Sequence, residues 1–141
     1  MDKLVVGSSV VVKWFVAEPY SEHAHHVLEG YQNGTLELYV PDLLFAEVAN
    51  VIWKKHRVQG LSKEDAQQII ETFGQLNFHI TPTVELFAEA YRFAVAHDRT
   101  VYDSLYIVLS QREQCLFLTS DERLANALST EMSNVVWVGN W

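Results

Sequence analysis

The chain is short of cysteine, of positive charge and of long apolar runs, and each shortage excludes something. Its 141 residues hold one cysteine, Cys115. A lone thiol closes no disulfide within the chain, so packing in a core, in a reducing compartment, is the expectation. It sits in the apolar run Cys115-Leu116-Phe117-Leu118, with no His or Lys beside it in sequence to activate a thiolate. No stretch approaches the roughly 18 apolar residues of a membrane span. One Lys and a short apolar stretch before Lys13 do not make a secretory leader. A cytoplasmic protein with no membrane partner is expected. Lys and Arg number 10 against 18 Asp and Glu, a formal net charge of −8. That balance opposes tight non-specific binding to nucleic acid through counterion release. It suits a basic protein partner, and a metal ion held at a site would reverse the local sign.

What the chain has in quantity is apolar side chains, 49% of the total, enough for one domain with a full core. They are arranged as alternating strands and helices. Strands are expected at residues 4–6, 36–40, 78–80, 116–119 and 135–138. Helices are expected at 8–17, capped by Ser8 or Ser9, and at 21–32, 42–58, 62–73, 83–97, 100–113 and 121–129. Asp42 reads as the N-cap or first-turn acid of the third helix, and Gly60 marks its end. Ser62 and Thr100 open capping-box-like starts. The helix after Thr100 is apolar almost all round, through Leu105, Tyr106, Ile107, Val108 and Leu109, as a buried helix would be. Strands separated by helices imply an α/β fold: a parallel sheet of about five short strands, covered on both faces. Ligands in such folds collect beyond the carboxyl ends of the strands.

Three acids stand near such ends: Glu47 in Phe45-Ala46-Glu47-Val48-Ala49-Asn50, Asp103 in Tyr102-Asp103-Ser104-Leu105-Tyr106, and Asp121 in Thr119-Ser120-Asp121-Glu122-Arg123-Leu124. Each has an ordinary explanation. Glu47 is a helix-surface acid with Asn50 one turn on and Lys54 two turns on. Asp103 and Asp121 are first-turn or capping acids favoured by the helix dipole. Together, with the hydroxyls of Ser8, Ser9, Thr119 and Ser120 near the same edge, they suit a hard divalent ion such as Mg²⁺ or Mn²⁺. Such an ion activates water against a phosphodiester.

These motifs, with the N-terminal Val5-Val6-Gly7-Ser8-Ser9-Val10-Val11-Val12-Lys13-Trp14-Phe15 and with Pro41-Asp42-Leu43, resemble the PIN-domain ribonucleases. Within that family they resemble the VapC-like toxins of bacterial toxin–antitoxin pairs. Four short motifs in order span nearly the whole chain. The resemblance implies a PIN-like three-layer α/β/α sandwich and a Mg²⁺- or Mn²⁺-dependent endoribonuclease. It further implies an RNA substrate, a basic antitoxin partner and a homodimer. The family's last three acids fall on Glu47, Asp103 and Asp121, as catalytic residues and metal ligands. Ser8, Asn50 and Thr119 would support them. The family's first Asp, a principal metal ligand, falls on Gly7, which has no side chain.

Three explanations of Gly7 stand open: engineered or selected inactivation, which is favoured; a natural pseudoenzyme; or a backbone requirement for glycine at the turn after the first strand. A PIN fold that holds RNA or antitoxin without cutting is the alternative function. A receiver-like phosphoryl-transfer domain is disfavoured, because it needs paired acids after the first strand and a Lys after the last.

The remaining features read more plainly. Lys54-Lys55-His56-Arg57 and Lys13 could reach phosphate, but a solvated helix end explains the cluster as well. His23, His25 and His26 have no recognised ligand spacing. Trp14, Phe15, Tyr31 and Trp53 read either as core or as one apolar patch for a dimer or antitoxin.

Overall fold

The structure, a computed structural model, describes residues 2–141. Five parallel strands form one sheet in the order β3-β2-β1-β4-β5. They are β1 (Asp2–Val6), β2 (Leu36–Pro41), β3 (His79–Thr81), β4 (Leu116–Thr119) and β5 (Val135–Trp137). Seven helices connect and flank them: α1 (Ser8–Val12), α2 (Ser21–Gln32), α3 (Leu43–Val58), α4 (Lys63–Gly74), α5 (Thr83–His97), α6 (Val101–Arg112) and α7 (Glu122–Leu128), before a closing 3-10 turn at Val138–Asn140. This is the expected α/β sandwich with an all-parallel sheet.

Register fixes the edge that matters. In β1 and β4, Val6 pairs with Leu118, so the chain leaves both strands side by side, at Gly7 and at Ser120. From β1 the order runs one way through β2 to β3 and the other way through β4 to β5. The carboxyl ends of β1 and β4 are therefore the point where the winding reverses.

Packing explains the sequence pattern. Leu4, Val5 and Val6 are buried in β1, as are Phe117 and Leu118 in β4; a strand covered on both faces needs no alternation. Helix α6 is buried from Ser104 through Ser110, packs against α5 and runs along β2, β1 and β4. Thr100 caps it by accepting the Asp103 N–H at 3.1 Å, and Ser62 caps α4 through Asp65 N–H at 3.0 Å. Gly60 ends α3 at φ +81°, where glycine carries no Cβ penalty.

Two expectations, the extent and the cap of α1, need correction. Helix α1 stops at Val12 and does not reach residue 17. Lys13, Trp14 and Phe15 donate to the carbonyls three residues back, so the chain tightens into turns. Its N-cap is Gly7, with no side-chain cap; neither Ser8 nor Ser9 fills that role. Asp42 is the N-cap of α3, as expected, but without a side-chain cap bond; its carboxylate accepts the Thr83 N–H at 2.9 Å and the Thr83 hydroxyl, tying down the start of α5. The four aromatics do not share a patch. Trp14 is buried and donates Nε1–H to the Ala24 carbonyl at 2.8 Å. Phe15 and Tyr31 pack against the core, and only Trp53 stands exposed.

Candidate functional site

At the carboxyl ends of β1 and β4 stand Gly7, Ser8 and Ser9 after the first strand and Thr119, Ser120 and Asp121 at the end of the second. Gly7 is buried just past β1 and donates its N–H to the Leu118 carbonyl at 3.0 Å. Its φ of −79° and ψ of 157° are ordinary extended values, so the backbone does not demand glycine. A Cβ at this position would lie 3.3 Å from Phe117 Cε1 and 3.4 Å from the Leu118 carbonyl oxygen. A side chain there is admitted if the Phe117 ring yields by a few tenths of an ångström.

Across the edge, Thr119 is buried at the end of β4 and accepts the Asp121 N–H at 3.0 Å through Oγ1. Asp121, exposed, caps α7 by accepting the Leu124 N–H at 3.1 Å. Its structural explanation is therefore real, and it leaves Oδ2 unused by the cap. Ser9 Oγ accepts the Ser120 N–H at 3.2 Å, which ties α1 to the β4 edge. Among the described residues, the buried Ser120 hydroxyl has no hydrogen-bond partner.

Asp103 lies half-buried in the first turn of α6. Burial, opposed by the hydrogen bond to Thr100, and then the negative charge of Asp121, push its carboxyl above the ordinary range. Part of that push comes from Asp121, which belongs to a different motif. Glu47, half-buried on α3, accepts the Tyr106 phenol at 2.6 Å. Burial, then that bond and the Glu47 charge, push the phenol well above its usual value, so it stays a donor. Ser8 faces the same phenol. Asn50 is exposed one turn beyond Glu47.

Tyr106 escapes a reading of the sequence because a tyrosine within an apolar helical run looks like core. Its only local signal is the three-residue step from Asp103, one turn along α6.

The donor set bears directly on a metal ion. Among the described residues, no three His, Cys, Asp or Glu side chains converge as a cage. The Asp103–Asp121 pair carries like charge with partial burial, which a small cation would relieve. Mg²⁺ keeps much of its water and takes one or two carboxylates together with substrate phosphate. The pair fits that pattern.

The basic and histidine clusters find other partners. Lys55 reaches Glu18 at 2.9 Å and Lys13 reaches it at 3.5 Å. Arg57 lies over the Trp53 ring. His23 Nδ1 lies 3.2 Å from the Trp141 carbonyl oxygen, while His25 and His26 are exposed. No helix among the described residues is long and apolar enough to cross a membrane.

Comparison with known proteins bears on the family and the fold. The PIN domain family matches residues 4–127. Ribonuclease VapC3 of Pyrobaculum aerophilum is 35% identical over 128 residues, covering 87% of this chain and 92% of that protein. Two crystal structures share the fold. PAE2754 from Pyrobaculum aerophilum aligns at a TM-score of 0.63 and 18% identity, over 99% of this chain and 92% of that one. VapBC2 from Rickettsia felis, bound to a DNA fragment from their promoter, aligns at 0.62 and 14%, over 96% of each chain.

Proposed function

The chain belongs to the PIN-domain family, with VapC ribonucleases among its relatives, and from that premise we propose that it is a single-domain endoribonuclease toxin whose site is impaired by Gly7. The observation that carries this reading is the Asp103–Asp121 pair at the carboxyl ends of β1 and β4, beside a residue 7 that contributes no carboxylate.

Asp103 and Asp121 would hold Mg²⁺ or Mn²⁺, and Glu47 would face the same edge. When bound, the ion would supply an activated water and charge neutralisation at the scissile phosphate. The protein's part is position. Thr100 fixes the start of α6 and so places Asp103. Thr119 and the Leu124 N–H fix Asp121. Tyr106 holds Glu47. Ser8 and Asn50 line the approach, with polar groups available to water or phosphate. With glycine at position 7, the carboxylate count drops from four to three.

An RNA substrate and a basic antitoxin follow from the family and from the formal charge of −8. The VapBC2 structure supports a paired partner by likeness of fold. A homodimer is supported by an exposed apolar stripe along α5, at Val84, Phe87, Tyr91 and Val95. A cytoplasmic setting suits all of these.

The test is Gly7→Asp. It is expected to raise Mn²⁺- or Mg²⁺-dependent RNA cleavage by ~100-fold or more, about 2.7 kcal/mol of transition-state stabilisation. Equal cleavage by both forms sinks the missing-ligand reading. Cleavage by neither favours a PIN module that binds RNA or antitoxin without cutting.

A further inference from the structure

We infer that Tyr106 is a positioning residue: its phenol holds the Glu47 carboxylate in the site and, through Phe117, ties that carboxylate to whatever stands at position 7. The inference rests on the nuclease reading above and adds to it a residue outside the acidic motifs.

Tyr106 is 4% exposed, on the side of α6 that meets the sheet. Its phenol donates to Glu47 Oε1 at 2.6 Å, a bond between elements 59 residues apart in the chain. A hydrogen bond to an ionised oxygen is short and strong. Glu47 projects from α3 with no other side-chain hydrogen bond among the described residues, so without the phenol it is free to turn among helix rotamers. The bond uses one carboxylate oxygen and leaves the other for the site.

The ring is placed as firmly as the hydroxyl. It stacks on Phe117 of β4, with centroids 5.4 Å apart and planes within 14°. The same Phe117 ring is what a Cβ at position 7 would meet, at 3.3 Å. Residue 7, Phe117, Tyr106 and Glu47 therefore form one run of contacts from β1 to α3. A side chain at position 7 presses on Phe117, which bears on Tyr106, which sets Glu47. Packed rings transmit small displacements because the interior has little free volume.

Tyr106→Phe removes the hydroxyl and keeps the stack. In the Gly7→Asp protein, it is expected to lower RNA cleavage and Mn²⁺ affinity, the latter by calorimetry, each by about 10-fold, the lower range for residues that orient a metal's ligands. Added to Glu47→Ala it should cost little more, because its effect runs through Glu47. Unchanged cleavage and Mn²⁺ affinity in Tyr106→Phe, or losses that simply multiply with those of Glu47→Ala, overturn the inference.

The chain as it stands gives a separate readout. Tyr106→Phe should move the carbon-13 resonance of the Glu47 carboxyl, and an unmoved resonance also overturns the inference. Should Gly7→Asp neither bind Mn²⁺ nor cleave RNA, the nuclease reading fails; the carboxyl resonance then decides the Tyr106 contact on its own.

Discussion

At the amino ends of β1, β2 and β4 lies a cavity of about 950 Å³, lined in part by Lys3, Thr35, Cys115, Asn134 and Trp141. At the carboxyl ends of β1 and β4 the surface carries Asp103, Asp121 and the Ser120 hydroxyl. The first end is roomy and several of its polar groups are partnered. Asn134 donates to Ser110 Oγ at 3.0 Å, and Lys3 meets Glu113 at 3.2 Å. Burial pushes the Cys115 thiol up, away from reactive thiolate. The second end is tense: one carboxyl is held above its usual range by burial and by a neighbouring acid, and one buried hydroxyl is unpartnered. Volume alone would point to the end of the sheet opposite the proposed site. Unsatisfied charge and hydrogen bonding point to the end where the fold collects ligands.

The sharpest way to break this contrast is to remove an acid after restoring the missing one. In the Gly7→Asp background, Asp103→Asn should erase the whole gain, ~100-fold or more in RNA cleavage; retained activity would place the chemistry elsewhere. A smaller effect concerns stability. Thr100→Ala removes the cap that seats Asp103 and should cost about 1 kcal/mol in denaturant unfolding.

The pH dependence has a definite sign. The Asp103 carboxyl sits above its unfolded value, so folding favours its protonated form. The stability that this carries is complete below the ordinary carboxylate range and is lost as pH rises through the raised value. Asp103→Asn should therefore gain in thermal stability over the parent as pH rises from about 3 toward 7, and a constant difference would contradict the burial argument. The smallest effect belongs to the far end: Lys3→Gln should leave RNA cleavage and Mn²⁺ affinity of the Gly7→Asp protein unchanged.

Much of this architecture is legible in the amino-acid order, because its signals are local. Capping hydroxyls at Ser62 and Thr100, the glycine after α3 and the apolar run of α6 all declare themselves within a turn or two. The order of the acids along alternating strands and helices likewise puts Asp103 and Asp121 forward as a candidate pair. What is not legible depends on contacts between distant segments. Asp42 reads as the cap position of its own helix and is that, yet its carboxylate serves Thr83, 41 residues away. Trp14 reads as a surface aromatic or a core one with equal ease until its indole N–H finds the Ala24 carbonyl. Tyr106 hides in a hydrophobic run because only the approach of α3 reveals its hydroxyl as a donor. Gly7 reads as a turn glycine until its extended φ removes that reason.

If position 7 lacks a metal ligand, Mn²⁺ affinity must depend on the side chain placed there. Calorimetric titration of the chain, Gly7→Ala and Gly7→Asp separates the carboxylate from the mere presence of a Cβ against Phe117. The account predicts that Gly7→Asp binds at least about tenfold tighter than the other two, a difference of about 1.4 kcal/mol, with Gly7→Ala no better than glycine. Equal affinity in all three would contradict it.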